Sequence, residues 1–418
     1  MNTTRPDHAA SIPNLGTDPR FIGLVEAARA LQPKTVALRR QLHKNPEEGL
    51  QLPKTQAAIL HAIEDLDLEV TTGKTTTSVV AVLRGAKPGP TVLLRGDMDA
   101  LPLTEETGLP FASEVDGKMH ACGHDTHVAM LASAARVLSS RKGALAGNVV
   151  FMFQPGEEGQ HGARYMIHEG VLKAAGDDVA RAFALHITSK EPSGVVVCRP
   201  GPMMAAADTF HVRITGKGGH GASPHDAVDP IPAAAAMVGA LQTMLGRRVS
   251  VFEPAVITVG RIQAGTATNI IPETAEMEGT IRSLSEATRS FVHTELARIC
   301  EHVGAAHDCR VLVDITPGYP VTVNDHDVAL GAVKLAQTVL GQRCGKVMAD
   351  PMMGAEDFSY VLQRVPGAMA FLGACPPDVE PDEAPPNHSN RVHFDESALT
   401  NGVAMYSAFA LDALRATG

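Results

Sequence analysis

Apolar positions along this chain recur at two spacings, and the changes of spacing mark its elements. Recurrence every three to four residues predicts helices over residues 21–31, again from Pro33 through Val36, Leu38 and His43, over 55–66, and from Val128 to about Arg141. Short unbroken apolar runs predict buried strands at 78–83, 91–94, 148–153 and 181–185, with a helix near 163–172 before the last of these. From about Asp208 the order becomes strand 209–215, helix 230–245, strand 255–262, strand 274–281, helix 286–303 and strand 310–315. This β-α-β-β-α-β succession is that of a ferredoxin-like unit, self-contained enough to be inserted in another domain. Helix–strand alternation then resumes with helix 328–340, a helix opened by residues 353–358, strand 368–372 and a last helix at 396–414. The expected layout is α/β: a first unit over residues 19–207, an insert over 208–316 and the return of the first unit over 317–418.

Composition narrows the function. A chain of 418 residues is long enough for about two domains, each with its own core. A net charge of -10 argues against broad nucleic-acid or anionic-membrane binding. The absence of Trp and the four Tyr give few stacking platforms. No apolar run approaches membrane-spanning length, and residues 1–18 lack an apolar signal core; the expectation is a polar leader on a cytoplasmic protein. The six cysteines form no Cys-x-x-Cys pair, and only Cys122 sits among other ligand-type residues.

The chemistry gathers at His120-Ala121-Cys122-Gly123-His124-Asp125-Thr126-His127, which sets three imidazoles, a thiol and a carboxylate in eight positions. Gly123 lets the backbone turn so that Cys122 and His124 face one centre. Thiolate and imidazole suit zinc, and imidazole also suits manganese, cobalt or nickel. Asp125 falls where a helix begins and is expected to cap it. Alone, the stretch also fits a His-rich surface loop. Other strand ends add to it: Asp97 and Asp99 after strand 91–94, Glu157 and Glu158 between glycines after strand 148–153, and His186 after strand 181–185. His388 lies in a Pro-rich loop. Alone, the aspartates read equally as an acidic turn, the paired glutamates are a strong signal with a solvated turn as the alternative, and His186 is more often a core histidine. Together Cys122, His124, Glu158, His186 and His388 offer five ligands, more than one tetrahedral zinc needs and suited to two ions sharing a bridge.

In order, the chain carries Gly96-Asp97-Met98-Asp99-Ala100-Leu101-Pro102, His120 to Asp125, Pro155-Gly156-Glu157-Glu158-Gly159, Gly216-Lys217-Gly218-Gly219-His220 continuing to His225, Asn269-Ile270-Ile271-Pro272, Gly279-Thr280-Ile281-Arg282 and Gly354-Ala355-Glu356-Asp357-Phe358. From about Arg39 to Glu396 it resembles the dinuclear-metal amidohydrolases that include hippurate hydrolase, indole-acetyl-amino-acid hydrolases and N-acyl-amino-acid deacylases, within the aminoacylase and carboxypeptidase superfamily. The resemblance implies a zinc-exopeptidase-like three-layer catalytic domain with an inserted ferredoxin-like lid and dimerisation domain. It implies that Cys122, His124, Glu158, His186 and His388 hold two divalent ions (Zn, Mn, Co or Ni), with Cys122 as the bridge. Glu157 matches the general base that deprotonates the attacking water. His220 matches an imidazole that reaches a neighbouring subunit's active site, which implies a homodimer or homotetramer through the insert. Asn269 and Arg282 match positions that hold the leaving amino acid's carboxylate. Where the carboxypeptidase branch has His-x-Asp, this chain has Asp97-Met98-Asp99, so His124 supplies the missing imidazole and both aspartates orient ligands. Glu356 and Asp357 are expected to be a helix cap, and His43, His120 and His127 scaffold. The implied reaction is hydrolysis of N-acyl-L-amino acids, with a dipeptidase or aminopeptidase, or a non-catalytic binding protein, as alternatives.

Overall fold

The computed structural model describes residues 18–414, so the expected leader lies outside the described residues except for Asp18. The unbroken apolar runs pair into an eight-stranded sheet in the order Glu69–Thr72, Val79–Arg84, Ala146–Gln154, Lys87–Asp97, Val179–Pro192, Gly367–Cys375, Val196–Cys198, Gly345–Val347. Its four central strands are parallel, with Leu93 opposite Val150 on one side and Ala182 on the other. Residues 91–97 are all buried. A strand covered on both faces has no polar positions to alternate with, hence the continuous apolar run. One face is packed by the helices Leu24–Lys44, Pro53–Ile63, His124–Ser140, His326–Val339 and Leu399–Ala413. The other carries a thinner layer that includes Gly162–His168 and Ser359–Leu362. Parallel strands put their C-terminal ends on one edge, and the loops there carry the site.

The strands Ala206–Thr215, Ala255–Ala264, Thr274–Ser283 and Arg310–Tyr319 form a separate antiparallel sheet. In space they run second, third, first, fourth. The helices Pro230–Arg248 and Glu286–Ala306 pack against this sheet through Phe210, Val212, Ile214, Met237, Leu241 and Leu296. Asp229 and Ser285 cap these helices by accepting from the backbone N–H of Ile231 and Thr288. The expected β-α-β-β-α-β order is present.

Three local expectations are corrected. Pro33 does not divide the first helix, which runs unbroken over Leu24–Lys44. The lost backbone bond is offset by a buried stripe of Leu24, Ala28, Thr35, Arg39 and Leu42 facing the helices His124–Ser140 and Leu399–Ala413. The single helix expected near 163–172 is Gly162–His168 followed by a short turn at Val171–Lys173, parted at Gly170, whose φ is 97°. The segment 353–358 opens only one helical turn, Ser359–Leu362. Among the described residues no helix is long and apolar enough to cross a membrane.

Candidate active site and metal centre

Gly123 opens the site. Its φ is 84°, and a Cβ there would lie 2.3 Å from Ile187 Cγ2. Only glycine meets both conditions, and the turn it makes sets Cys122 and His124 at the start of the helix His124–Ser140. His186 is not at a strand end: its strand continues to Pro192, and His186 stands mid-strand opposite Phe371. His388 has a left-handed φ of 68°. Its N–H donates to Ala121 O at 3.0 Å, and the Asn387 amide donates to the carbonyls of Cys122 and Ile187 at 3.1 and 3.0 Å. These bonds hold an uncommon backbone shape, as is usual where a side chain must be aimed.

The donor atoms converge on one sulfur. Cys122 Sγ lies 3.3 Å from His186 Nε2 and 3.2 Å from His388 Nε2, and His388 Nε2 lies 3.1 Å from Glu158 Oε1. The ligand atoms of Cys122, His124 and His186 fall within 4.8 Å of one another, as do those of Cys122, Glu158 and His388. Two triplets therefore share Cys122. His186 Nδ1 donates to Ile187 O at 2.8 Å, which leaves the lone pair on Nε2 directed at the sulfur. Both ring nitrogens of His124 are fully buried without an aligned hydrogen bond, and the nearest carboxylates, Asp97 and Asp99, stand 3.4 Å away. A buried imidazole whose nitrogens lack aligned hydrogen bonds, among thiol and carboxylate donors, fits a cation. The residues present thus fit two divalent ions.

Burial and neighbouring charges pull the protons of the cluster in different directions. Burial pushes the Cys122 thiol up, away from the thiolate that a bound cation would favour. Burial opposes charge on His124, yet Asp97 and Cys122 hold its proton well above the usual range. Hydrogen bonds to Cys122 and Glu158 raise His388 to about 10. Glu157 is pushed well up, first by burial and then by the charges of Glu356 and Glu158. A carboxyl so placed is a strong proton acceptor once the negative charge around it is compensated.

Behind the donors lies a buried ionic layer. Asp97 accepts from His127 Nδ1 at 2.5 Å and from Arg95 Nη1 at 2.6 Å. Asp99 accepts the backbone N–H groups of Glu157 and Glu158 at 3.0 and 2.9 Å and so fixes that loop. Asp125 does not cap its helix: it is buried against Arg39 Nε at 2.8 Å and His43 Nδ1 at 2.9 Å. Glu356 and Asp357 are likewise more than a cap. Both pair with Arg95 Nη2, at 2.8 and 3.1 Å, and Asp357 also accepts from the N–H of Ala163 in another helix. His43 and His127 use both ring nitrogens in hydrogen bonds, which leaves no lone pair for a cation, while His120 is buried and unpaired. The sequence reading did not single out Arg95 or Tyr319. Arg95 was visible as a lone charge in an apolar run, which burial would force to find partners. Tyr319, whose hydroxyl donates to Glu157 O, gave no signal.

A cavity of about 550 Å³ opens onto these donors, lined by Cys122, Glu157, Glu158, His186, His388 and, from the second sheet, Arg282. His220 and Asn269 are not in that lining. They are exposed together on a small ribbon, where Gly219–His220 pairs with Ile270–Ile271 and Gly221 N donates to Asn269 O at 2.9 Å.

The chain is similar to known proteins along most of its length. The pattern of Peptidase family M20/M25/M40 matches residues 93–412. Thermostable carboxypeptidase 2 of Saccharolobus solfataricus is 39% identical over 383 residues, 90% of this chain and 94% of that one. N-acetylcysteine deacetylase of Bacillus subtilis is 35% identical over 386 residues, 92% and 98% of the two chains. Among solved structures, a dinuclear metal-binding peptidase of Bacillus subtilis superimposes with a TM-score of 0.80 at 32% identity, covering 92% of this chain and 99% of that one. The chain is a metal-dependent amidohydrolase that belongs to Peptidase family M20/M25/M40.

Proposed function

We propose that this enzyme hydrolyses the amide bond of N-acyl-L-amino acids, releasing a carboxylic acid and an amino acid. The observation that carries this is the pair of donor triplets sharing Cys122, with a ligand atom of Glu157 within 4.8 Å of those of His124 and Glu158. Cys122, His124, Glu158, His186 and His388 would hold the two ions, drawn from zinc, manganese, cobalt and nickel, and Cys122 belongs to both donor triplets. When bound, the cations supply the charge that acidifies a water and polarises the amide carbonyl. Glu157 takes the water's proton on its carboxylate and returns it to the nitrogen of the leaving amine. Asp99 keeps Glu157 and Glu158 in place through their N–H groups, and Asp97 orients His124. Arg282 holds the substrate carboxylate, and the ribbon that carries both Asn269 and His220 comes from the partner of a homodimer or homotetramer, Asn269 joining Arg282 on that carboxylate and His220 offering its N–H to the developing oxyanion.

The division 19–207, 208–316 and 317–418 belongs to this reading, with the middle segment as the lid that carries Asn269, His220 and Arg282. So does a cytoplasmic setting, where the Cys122 thiol stays reduced; all six cysteines are free. Glu157→Gln should keep fold and metal content and lose nearly all hydrolysis of N-acetyl and N-benzoyl amino acids. Near-normal turnover by that variant would end the assignment of Glu157. A peptidase reading has one observation in its favour beyond the name of the 39% relative: Glu191 belongs to the cavity lining, and a carboxylate there would suit a free α-amine. Comparing an N-acetyl amino acid with the matching free dipeptide separates the two, since only a peptidase prefers the dipeptide.

A further inference from the structure

The cavity has a second character beside its donors. Phe371 stands opposite His186 in the sheet, with ring centroids 5.5 Å apart, so apolar surface begins directly at a proposed ligand. Val197 pairs with Phe371 and extends that surface. Met204, Met348 and Met352 complete the wall. Their backbones are anchored: Met204 bridges to Met352, and Met348 N donates to Cys198 O at 2.9 Å. Their side chains are not all packed away, since Met348 is half-buried and Met352 is 41% exposed. Gly354 and Ala355 beside them add little bulk, and a Cβ at Gly354 would already stand 3.3 Å from Met204 Cε.

Cavities of roughly 300–1,000 Å³ suit ligands of drug size, and this one holds about 550 Å³. The smallest N-acyl amino acids would leave much of it as water against thioethers. Methionine is unbranched and polarisable, so a wall of it moulds to apolar groups of differing shape, aromatic rings included. Resting on the hydrolase reading above, we propose that the preferred substrates carry a bulky apolar group, aromatic or long aliphatic, packed on Met204, Met348 and Met352, and that these methionines set the discrimination between bulky and small substrates. The same chemistry can sit on either side of the scissile amide, so the test varies both sides.

With metal-loaded enzyme, kcat/KM is compared for N-acetylglycine, N-octanoylglycine and N-benzoylglycine, then for N-acetylglycine against N-acetylleucine and N-acetylphenylalanine. One of the two series should rise steeply with apolar bulk, by roughly fourfold for each methylene the wall covers. The series that rises identifies the side. Met352→Ser and Met348→Ser should each lower the bulky-to-small ratio by about fivefold or more, as expected for losing part of a hydrophobic pocket. Met352 is exposed enough that its variant tests the wall even where Met204→Ser fails to fold. Flat series in the native enzyme, or an unchanged ratio in both folded variants, overturns the proposal. Binding gives the independent arm: calorimetric Kd values for N-octanoylglycine, N-acetylphenylalanine and N-acetylglycine in the Glu157→Gln enzyme. If no N-acyl amino acid is hydrolysed, the N-acyl-amino-acid reading fails, and these Kd values still decide the wall: tighter binding of a bulky ligand supports it and equal Kd values refute it.

Discussion

Arg95 carries its charge with no solvent exposure, at the buried end of a strand where it follows Val92, Leu93 and Leu94. It is held by Asp97, Glu356, Asp357 and the Gln154 amide oxygen. Burial works against the cation, but the three carboxylates raise its pKa well above the ordinary value. Removing one member of such a group leaves charge unpaired in low dielectric, which typically costs about 3–5 kcal/mol. Arg95→Met should therefore lower the unfolding free energy in urea by that order, and a loss below about 1 kcal/mol would show that the carboxylates relax by taking up protons. The same residue shows where reading the sequence stops. Cys122, His124, Glu157 and Glu158 were legible because ligand-type residues cluster beside glycines at predicted strand ends. Arg95 meets Glu356 across 261 positions, and no local pattern couples two residues so far apart. Asp125 was misread for the same reason: its partners, Arg39 and His43, belong to another helix.

At the scale of elements, unbroken apolar runs and the 3.6-residue period located the helices and the longer strands, and the succession over 209–315 was enough to give the second sheet its topology. The strands Glu69–Thr72, Val196–Cys198 and Gly345–Val347 were missed, since three or four residues are too few for a pattern to show. Pro33 was misleading because propensity is local, while the buried stripe that keeps that helix whole is set by packing. What joins the ends of the second sheet is not visible in any pattern. Asp208, early in its first strand, accepts from Arg289 Nη2 at 2.6 Å, His293 Nε2 at 2.7 Å and Gly318 N at 2.9 Å, so one carboxylate ties the entry to the exit. Burial opposes its ionisation, but the bonds from His293 and Arg289 hold Asp208 well below the usual carboxylate range. A carboxyl depressed in the folded state adds stability above its unfolded pKa, near 3.9, and that stability is lost as pH falls toward the folded value. Asp208→Asn should therefore be less stable than the native protein at pH 7. The gap in unfolding free energy should shrink as the pH drops below about 4, where the native protein pays to keep the group ionised or protonates it. A gap that stays constant between pH 7 and pH 3 would show that the carboxylate's charge contributes nothing.

At the scale of the whole molecule, the question is what completes the cavity. Arg282 reaches it from the second sheet of the same chain, whereas His220 and Asn269 sit exposed on a ribbon outside its lining. If a second copy supplies His220, each active site combines Glu157 of one chain with His220 of the other. His220→Ala and Glu157→Gln homodimers should then both be nearly inactive, for different reasons. Mixed and allowed to exchange subunits, half of the dimers pair one variant with the other. In each mixed dimer the His220→Ala chain keeps its Glu157 and receives an intact His220, so about a quarter of all sites become whole. Recovery should follow the course of subunit exchange and approach that fraction of native kcat with KM near native, because each rebuilt site contains only native groups. Mixing either variant with itself should recover nothing. If exchange is verified by mass and no activity returns, His220 acts within its own chain or takes no part in the reaction. In the first case the ribbon that carries it would have to close onto the cavity of its own chain, and in either case a dimer would no longer be needed to explain catalysis.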